Sequence, residues 1–309
     1  MLPGLARAAA ENWRRLCAGV RRIVSGPQAR MGTIFEFAPW GGSMDLELQG
    51  KRAIVTGGSR GIGKAVARQL AVEGADVALI ARGAEALTDA AAELAAESGR
   101  RVLPVAADTA FDGPVREMVE RVVADLGGIE ILVNCAAMPG GQGPVPALED
   151  ITDQLFWDDV NVKVMGYLRC AREVAPYMRA GGWGRIINIS GLAARQSGST
   201  IGSIRNVAVA ALTKNLADEL GPSGINVTVV HPGLTRTEKT AGIVAARAAA
   251  AGVAPDKIEE QMATLNSIRR FISAEEVAYV VTFLASPKSV AINGDAIAVG
   301  GGVGRAIHY

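Results

Sequence analysis

From Lys51 onward, short apolar runs rich in β-branched residues alternate with longer amphipathic stretches. The apolar runs predict seven strands, at Arg52–Thr56, Asp76–Ile80, Val102–Ala106, Ile129–Asn134, Gly184–Ser190, Ile225–His231 and Ala296–Val299. The amphipathic stretches predict helices over about 62–73, 83–98, 112–127, 152–180, 203–221 and 274–285. Strands that alternate with helices favour right-handed crossovers and a parallel sheet covered on both faces. The pattern therefore predicts one doubly wound (Rossmann) α/β domain with a mostly parallel seven-stranded sheet flanked by helices.

One stretch, residues 236–268, breaks this alternation. It is rich in alanine, contains Gly252 and Pro255, and joins a predicted strand to a late helix. Loops that follow strand ends carry the ligand contacts in sheets of this kind. We therefore expect residues 236–268 to form a lid over a site, although their small side chains indicate no specific substrate.

The first 43 residues differ in composition from the rest. They contain six arginines and no lysine, with Glu11 and Glu36 as the acidic residues. Such a segment is typical of an organelle transit peptide or of a flexible basic arm. A third hypothesis is that translation starts at Met44, directly before the first strand. We favour a disordered or dispensable extension over residues 1–43 and a domain over residues 44–309.

Composition narrows the function classes. The 309 residues are 49% hydrophobic and 20% charged, and the net charge of +1 gives no basic footprint for nucleic acid or an anionic membrane surface. The three cysteines lack the spacing of a metal site or disulfide framework, so a reducing, cytoplasmic location is expected. No apolar run is long enough to span a bilayer, and the expected partner is a small-molecule substrate.

A glycine-rich loop follows the first predicted strand, and it is the clearest chemical motif of the chain. Gly57 permits a tight turn, Gly61 lets backbone amides approach a pyrophosphate, and Gly63 lets the next helix pack closely. Ser59, Arg60 and Ile62 complete the predicted contacts. A glycine cluster alone is weak, but a strand before it and a helix after it are the context of a dinucleotide site.

The end of the second strand indicates which dinucleotide. An acidic residue there would bind the ribose 2′-hydroxyl of NAD(H), but Ala81 occupies the position and Arg82 follows. Arg60 is a second cation nearby. Guanidinium groups pair well with a 2′-phosphate, so NADP(H) is predicted and NAD(H) is the alternative. Either arginine could also be a solvated surface charge.

The glycine spacing resembles that of the short-chain dehydrogenase/reductase family, and further motifs extend the resemblance over residues 47–303. It implies an adenine contact at Asp108, and Leu132–Ala137 resembles the family's NNAG segment with Cys135 and Ala136 replacing Asn and Gly. His231–Thr237 resembles the PGxxxT segment beside the nicotinamide. The resemblance assigns six further cofactor contacts: Asn134, Ala136, Pro232, Gly233, Thr235 and Thr237.

The same resemblance fails at the catalytic positions. Family members use Tyr and Lys in a YxxxK motif, assisted by Ser and Asn. Neighbouring motifs place the Tyr position at Gly202, the Lys position at Asn206, the Ser position at Gly191 and the Asn position at Lys163. Lys therefore stands where Asn is implied, and Asn where Lys is implied.

Two hypotheses stay open for this exchange. Lys163 and Asn206, with Ser190 nearby, could be a catalytic group with its polar side chains exchanged, or Lys163 could fill a polar gap in a degenerate site. A chance surface lysine is disfavoured, because this helix is internal to the fold. Hydroxyls near the predicted loop, at Ser190, Ser199, Thr200 and Ser203, are poor acids unless a cation is adjacent.

Three other side chains have open or structural interpretations. Tyr167 lies one helical turn from Lys163, and core or interface packing is the favoured interpretation. Arg205 is either a solvated helix charge or a residue of the pocket. His231, directly before the Pro-Gly turn, is expected to be structural.

Three functions follow from these observations. The first is an NADP(H)-dependent carbonyl reductase or alcohol dehydrogenase with a non-standard proton relay. The second is a catalytically inactive dinucleotide-binding homologue that acts as a sensor or partner subunit. The third is a non-redox enzyme on the same scaffold. The maintained segment beside the nicotinamide favours the first. The resemblance also implies a homodimer or homotetramer that shares helices 152–180 and 203–221.

Overall fold

The computed structural model describes residues 44–138 and 145–304, and the predicted extension over residues 1–43 lies outside them. Nine strands follow in chain order within the described residues: β1 (Arg52–Thr56), β2 (Asp76–Ala81), β3 (Val102–Ala106), β4 (Ile131–Asn134), β5 (Gly184–Ile189), β6 (Ile225–Pro232), β7 (Thr235–Arg236), β8 (Ile272–Ser273) and β9 (Ala296–Val299). Seven of them form one sheet in the order β3-β2-β1-β4-β5-β6-β9, and β7 pairs with β8 separately.

Every neighbouring pair in the large sheet is parallel. The predicted seven-stranded, doubly wound sheet is confirmed. The strand order reverses between β1 and β4, and such a reversal opens a crevice at the carboxyl ends of the strands. The glycine loop leaves β1 at this point.

Helices cover both faces of the sheet. They are α1 (Gly61–Val72), α2 (Ala84–Ser98), α3 (Asp112–Leu126), α4 (Asp153–Val160), α5 (Gly166–Gly181), α6 (Thr200–Leu220), α7 (Thr240–Ala251), α8 (Pro255–Ala263) and α9 (Ala274–Ala285). Alternation along β1 divides the core, since Ala53 and Val55 pack on the side of α1 and α9, whereas Ile54 packs on the side of α3 and α5. No helix within the described ranges is both long and apolar enough to cross a membrane.

The structure differs from the predicted elements in two places. The predicted helix 152–180 is interrupted by a π-helical turn at Asn161–Met165, so that α4 and α5 are separate helices. Residues 236–268 contain α7 and α8, because alanine favours helix, and Gly252, in a left-handed conformation, ends α7 before Pro255 begins α8. The segment predicted as a lid is therefore largely helical.

Candidate active site

The glycine loop is built from backbone constraints. A Cβ atom added to Gly63 would lie 2.2 Å from the carbonyl oxygen of Gly57, so no larger residue fits where α1 packs against the loop. Gly57 and Gly61 have φ angles of +69° and +56°, which L side chains rarely adopt. Because these glycines carry no side chains, the backbone at the start of α1 borders an open cleft, which is the position that a pyrophosphate requires.

The cleft runs along the carboxyl ends of the central strands and has a volume of about 830 Å³. Arg60 and Arg82 both line it, and both are exposed. Within the described part of the chain, neither guanidinium forms an ion pair or hydrogen bond. Two uncommitted cations at the end of β2 and in the glycine loop fit a 2′-phosphate, which agrees with the prediction from sequence.

The loop after β7 approaches the start of α1. The carboxylate oxygens of Glu238 accept hydrogen bonds from the backbone N–H of Gly61 at 3.1 Å and 3.3 Å. A carboxylate at a helix N-terminus is stabilised by the helix dipole. The Glu238 carboxylate thus binds the N-terminus of α1, which is the helix end that borders the cleft.

Three buried residues on separate elements meet at the other end of the cleft. Lys163, in the π-helical turn, donates from Nζ to the backbone oxygen of Ser190 at 3.0 Å. The Ser190 hydroxyl donates toward the Asn206 side-chain oxygen on α6 at 3.1 Å. Each of the three is less than one-tenth exposed, and all line the cleft. The residues assigned by sequence as the catalytic group are therefore brought together.

The charge state of Lys163 follows from its surroundings. Burial, and then the nearby Arg205 guanidinium, lower the pKa of the Lys163 amine to about 7, while Cys135 and Asp159 oppose the shift. An amine with a pKa near neutrality can give up and regain a proton under ordinary conditions, as an acid–base catalyst must. π-helical turns such as the one that carries Lys163 are frequent at functional sites.

Arg205 lies on α6, directly before Asn206, and it also lines the cleft. Its Nη1 atom donates to both carboxylate oxygens of Asp159 on α4, at 2.5 Å and 2.7 Å. This ion pair joins the helix that precedes Lys163 to the helix that carries Asn206. Of the two alternatives left open by sequence, a pocket residue is the one observed.

Most residues assigned to the cofactor line this one cleft. They are Gly57, Ser59, Arg60, Gly61, Ile62, Gly63, Arg82, Asp108, Ala136, Pro232, Gly233, Thr235 and Thr237. Asn134 is the exception and corrects that assignment. It is fully buried and donates to the side-chain oxygen of Asn188 on the neighbouring strand at 2.9 Å, so it stabilises the strand ends behind the cleft.

Tyr167 and His231, which the sequence analysis interpreted as structural, are both buried side chains. The Tyr167 hydroxyl is buried and donates to the backbone oxygen of Ile189 at 2.8 Å. His231 is buried on β6, where burial, followed by the charges of Arg195 and Lys163, lowers its pKa to about 4. Its imidazole is therefore neutral near pH 7 and does not add a charge to the site.

Sequence reasoning missed three further charged residues of the cleft, Glu238, Lys239 and Arg247. Glu238 directly follows the threonine of the PGxxxT segment, and that adjacency to a cofactor motif was the available signal. Arg247 is the single arginine of α7 and lies on the predicted lid. The sequence alone does not show that α7 borders the cleft, so it could not identify Arg247 as a cleft residue.

Comparison with known proteins identifies relatives that match most of the chain. A family model described as enoyl-(acyl carrier protein) reductase matches residues 57–304. The chain is 36% identical to the short-chain reductase protein NovJ of Streptomyces niveus over 252 residues, covering 81% of this chain and 92% of NovJ. It is 32% identical to the 3-oxoacyl-[acyl-carrier-protein] reductase FabG of Staphylococcus epidermidis, with 82% and 98% covered.

Among solved structures, the L-sorbose reductase of Gluconobacter frateurii, complexed with NADPH and L-sorbose, is similar, with a TM-score of 0.79. It is 33% identical, and the match covers 85% of this chain and 100% of the reductase. The family model's match over residues 57–304 spans both the glycine loop and the Lys163 group.

Proposed function

The chain belongs to the short-chain dehydrogenase/reductase family of oxidoreductases, and on that premise we propose that it is an NADP(H)-dependent carbonyl reductase or alcohol dehydrogenase with a non-standard active site. The observation that carries this proposal is the buried contact of Lys163 with Ser190 in the cofactor cleft. A small molecule with a carbonyl or hydroxyl group is the proposed substrate.

The cofactor preference rests on the glycine loop and two arginines. Gly63 cannot carry a Cβ against Gly57, so α1 begins close against the loop, at the position that we assign to the pyrophosphate. Arg60 and Arg82 line the same cleft without an ion-pair partner among the described residues, and we assign them to the 2′-phosphate of NADP(H). NAD(H) is the alternative cofactor, which lacks the group that these arginines would bind.

The non-standard part of the proposal concerns four positions. We assign Lys163, Gly191, Gly202 and Asn206 to the places where family members use Asn, Ser, Tyr and Lys. Support comes from proximity, because a Cβ added to Gly191 would lie 3.3 Å from the Asn206 side-chain nitrogen. Gly191 and Asn206 therefore face each other in the cleft, as neighbouring residues of one catalytic group would.

The residues of this chain supply the acid–base chemistry. NADPH, when bound, supplies the hydride that the carbonyl carbon of the substrate accepts. Lys163, protonated, gives a proton from Nζ to the carbonyl oxygen, which becomes a hydroxyl, and the neutral amine is later reprotonated. Ser190 holds Nζ through its backbone oxygen, and the Ser190 hydroxyl in turn holds the Asn206 side chain. In alcohol oxidation, neutral Lys163 accepts the proton instead.

A direct experiment tests the function. Purified protein is titrated with NADPH by fluorescence and then screened with a panel of ketones and aldehydes for loss of NADPH absorbance. Turnover that follows NADPH concentration is the expected result. Tight NADPH binding without turnover across the panel would overturn the enzymatic proposal and favour a dinucleotide-binding homologue that acts as a sensor or partner subunit.

We further propose that two or four copies of the chain associate through α4 and α6, while a cytoplasmic location stays a prediction. Trp157, Ile204 and Val207 are large apolar residues that are 61%, 47% and 51% exposed on these helices. A second copy of the same surface would bury them. Replacing both Ile204 and Val207 with glutamate should reduce the mass measured by light scattering, and an unchanged mass would contradict this interface.

A further inference from the structure

We propose that Arg205 is a catalytic residue that binds the carbonyl oxygen of the substrate through Nη2, and that Asp159 positions it for this contact. The inference rests on the proposed carbonyl chemistry and adds a second group to it. It assigns to Arg205 the task of stabilising negative charge on oxygen, separately from the proton transfer assigned to Lys163.

The first support is the space next to Gly202. Long side chains on a helix point back over the preceding turn, and Arg205 follows Gly202 by three residues on α6. A Cβ added to Gly202 would lie 3.9 Å from Nη2 of Arg205 and 2.7 Å from Oγ of Ser199. Nη2 of Arg205 is therefore at van der Waals distance from the place where a side chain of residue 202 would begin, and Arg205 lines the cleft together with Gly202.

The second support is the way the guanidinium is held. Nη1 makes both hydrogen bonds to Asp159, at 2.5 Å and 2.7 Å. Within the described part of the chain, Nη2 has no hydrogen-bond partner, although the residue is only 8% exposed and lines the cleft. Nη1 is thus committed to fixing the orientation, Nε is buried without a hydrogen-bond partner among the described residues, and Nη2 has N–H donors available to a ligand in the cleft.

The arrangement matches the demands of carbonyl reduction. As hydride reaches the carbonyl carbon, the π electrons of the C=O bond move to oxygen, and preorganised donors there lower the barrier. Arg205 cannot give up a proton, so it only hydrogen-bonds to the developing oxyanion. Lys163 transfers the proton that completes the alcohol, and no other reactant is needed.

The fixed position of Arg205 also ties it to the proton donor. Asp159 precedes Lys163 by four residues, and Arg205 precedes Asn206 by one. The ion pair therefore connects the chain segments that carry Lys163 and Asn206, two members of the proposed catalytic group. The charged and titratable groups that influence Lys163 are Arg205 on α6, Cys135 after β4, and Asp159 on α4, and Lys163 in turn influences His231 on β6.

The first experiment compares Arg205→Met with a matched control. Arg179 and Glu219 form an exposed ion pair that joins α5 to α6, with Arg179 Nη2 3.2 Å from the Glu219 carboxylate. Arg205→Met should lower kcat/KM by about 10²- to 10³-fold, as loss of one oxyanion donor does, whereas Arg179→Met should leave it unchanged. Both variants should bind NADPH as the unmodified protein does, which also shows that they are folded.

Conservative variants distinguish the proposed substrate contact of Arg205 from the positioning role of Asp159. Arg205→Lys keeps a cation but loses the planar fork, so it should recover only part of the activity. Asp159→Asn should lower kcat more than it raises KM, and Asp159→Glu should restore part of kcat. Full activity of Arg205→Met, with NADPH binding intact, would overturn the inference.

A second measurement does not depend on turnover. Isobutyrate presents carboxylate oxygens to the same donors, and its binding to the NADP⁺ complex is measured by calorimetry. The dissociation constant should rise at least about tenfold in Arg205→Met. Equal binding in both proteins would contradict the inference. If isobutyrate binding is lost but no carbonyl substrate is turned over by the unmodified protein, the proposed function fails while the oxygen-binding assignment of Arg205 stands.

Discussion

The two ends of the cleft use different means to build a site. The proposed cofactor end, from β1 to α1, is shaped by backbone geometry, since Gly57 and Gly61 have positive φ angles and Gly63 cannot carry a Cβ. The proposed catalytic end is made of side chains from three distant segments, with Lys163, Ser190 and Asn206 in contact. The backbone site leaves little freedom of residue type, whereas the arrangement of the side-chain site depends on how separate segments pack together.

This difference defines what each end should do when a side chain is removed. At the cofactor end, affinity is distributed over backbone amides and two arginines, so single changes should weaken binding by moderate factors. At the proposed catalytic end, one amine carries the proton, so its removal should abolish nearly all turnover.

Lys163→Met should produce the largest loss. Without the Nζ proton donor, kcat should fall by about 10²- to 10⁴-fold, the range for positioned acid–base groups. NADPH affinity, measured by fluorescence titration, should stay within about twofold, since no contact of the glycine loop is altered. A fully active variant would remove Lys163 from the mechanism.

The same variant should be more stable. Burial lowers the Lys163 pKa from 10.5 to about 7, so between these values the unfolded state binds more protons than the folded state. The buried amine therefore costs stability at pH 7, and this cost diminishes as pH rises toward 10.5. Replacing it with an apolar side chain of similar length should raise Tm at pH 7, measured by calorimetry. A lower Tm would indicate that the loss of activity is structural.

Arg82→Ala tests the cofactor end. Loss of a charge-assisted hydrogen bond to phosphate should raise the NADPH dissociation constant about tenfold to a hundredfold. NADH has no 2′-phosphate, so its dissociation constant should change little, and titration with both cofactors measures the ratio. Arg68 on α1 forms ion pairs with Glu93 and Glu97 on α2, and Arg68→Ala provides the control. An equal effect of Arg82→Ala on both cofactors would contradict the 2′-phosphate assignment.

Sequence could predict the cofactor end because its constraints appear in residue types. A position where a Cβ would lie 2.2 Å from a carbonyl oxygen must be glycine, and the glycine spacing reports it. The alternation of apolar runs predicted the sheet for the same reason, because each strand buried on both faces needs continuous apolar residues.

The catalytic end was predictable only in part. Lys163, Ser190 and Asn206 could be aligned with a known motif, but the Asp159–Arg205 ion pair joins residues 46 positions apart and depends on how two helices pack. Asn134 illustrates the opposite error. An asparagine at a strand end can face the cleft or the next strand, and only the observed contact with Asn188 decides between them.

The pH dependence of turnover should follow Lys163. Its pKa of about 7 means that the amine is protonated below neutrality and neutral above it. Carbonyl reduction, which needs the protonated amine, should be constant below pH 7 and fall about tenfold per pH unit above it. Alcohol oxidation should show the reverse. Steady-state kcat measured from pH 5 to pH 9 checks both limbs, and a flat reductive profile would exclude Lys163 as the donor.

Glu238→Gln should have the smallest effect, and in the opposite direction. The Glu238 carboxylate accepts hydrogen bonds from Gly61 N–H, at the helix N-terminus that we assign to the pyrophosphate. A negative side chain there competes with, and repels, an incoming anion. Removing its charge should tighten NADPH binding about two- to fivefold, the range of a single helix-terminus charge.

Salt and a matched variant sharpen this last test. The gain should shrink as ionic strength rises, because screening weakens the repulsion between exposed charges. Glu275→Gln, on the first turn of α9, removes an equal charge outside the main cleft and should leave NADPH affinity unchanged. Weaker NADPH binding in Glu238→Gln would mean that the carboxylate orders the loop for the cofactor and does not oppose it. The cofactor end would then also depend on a side chain, and the difference between a site built from backbone and the side-chain site around Lys163 would be smaller.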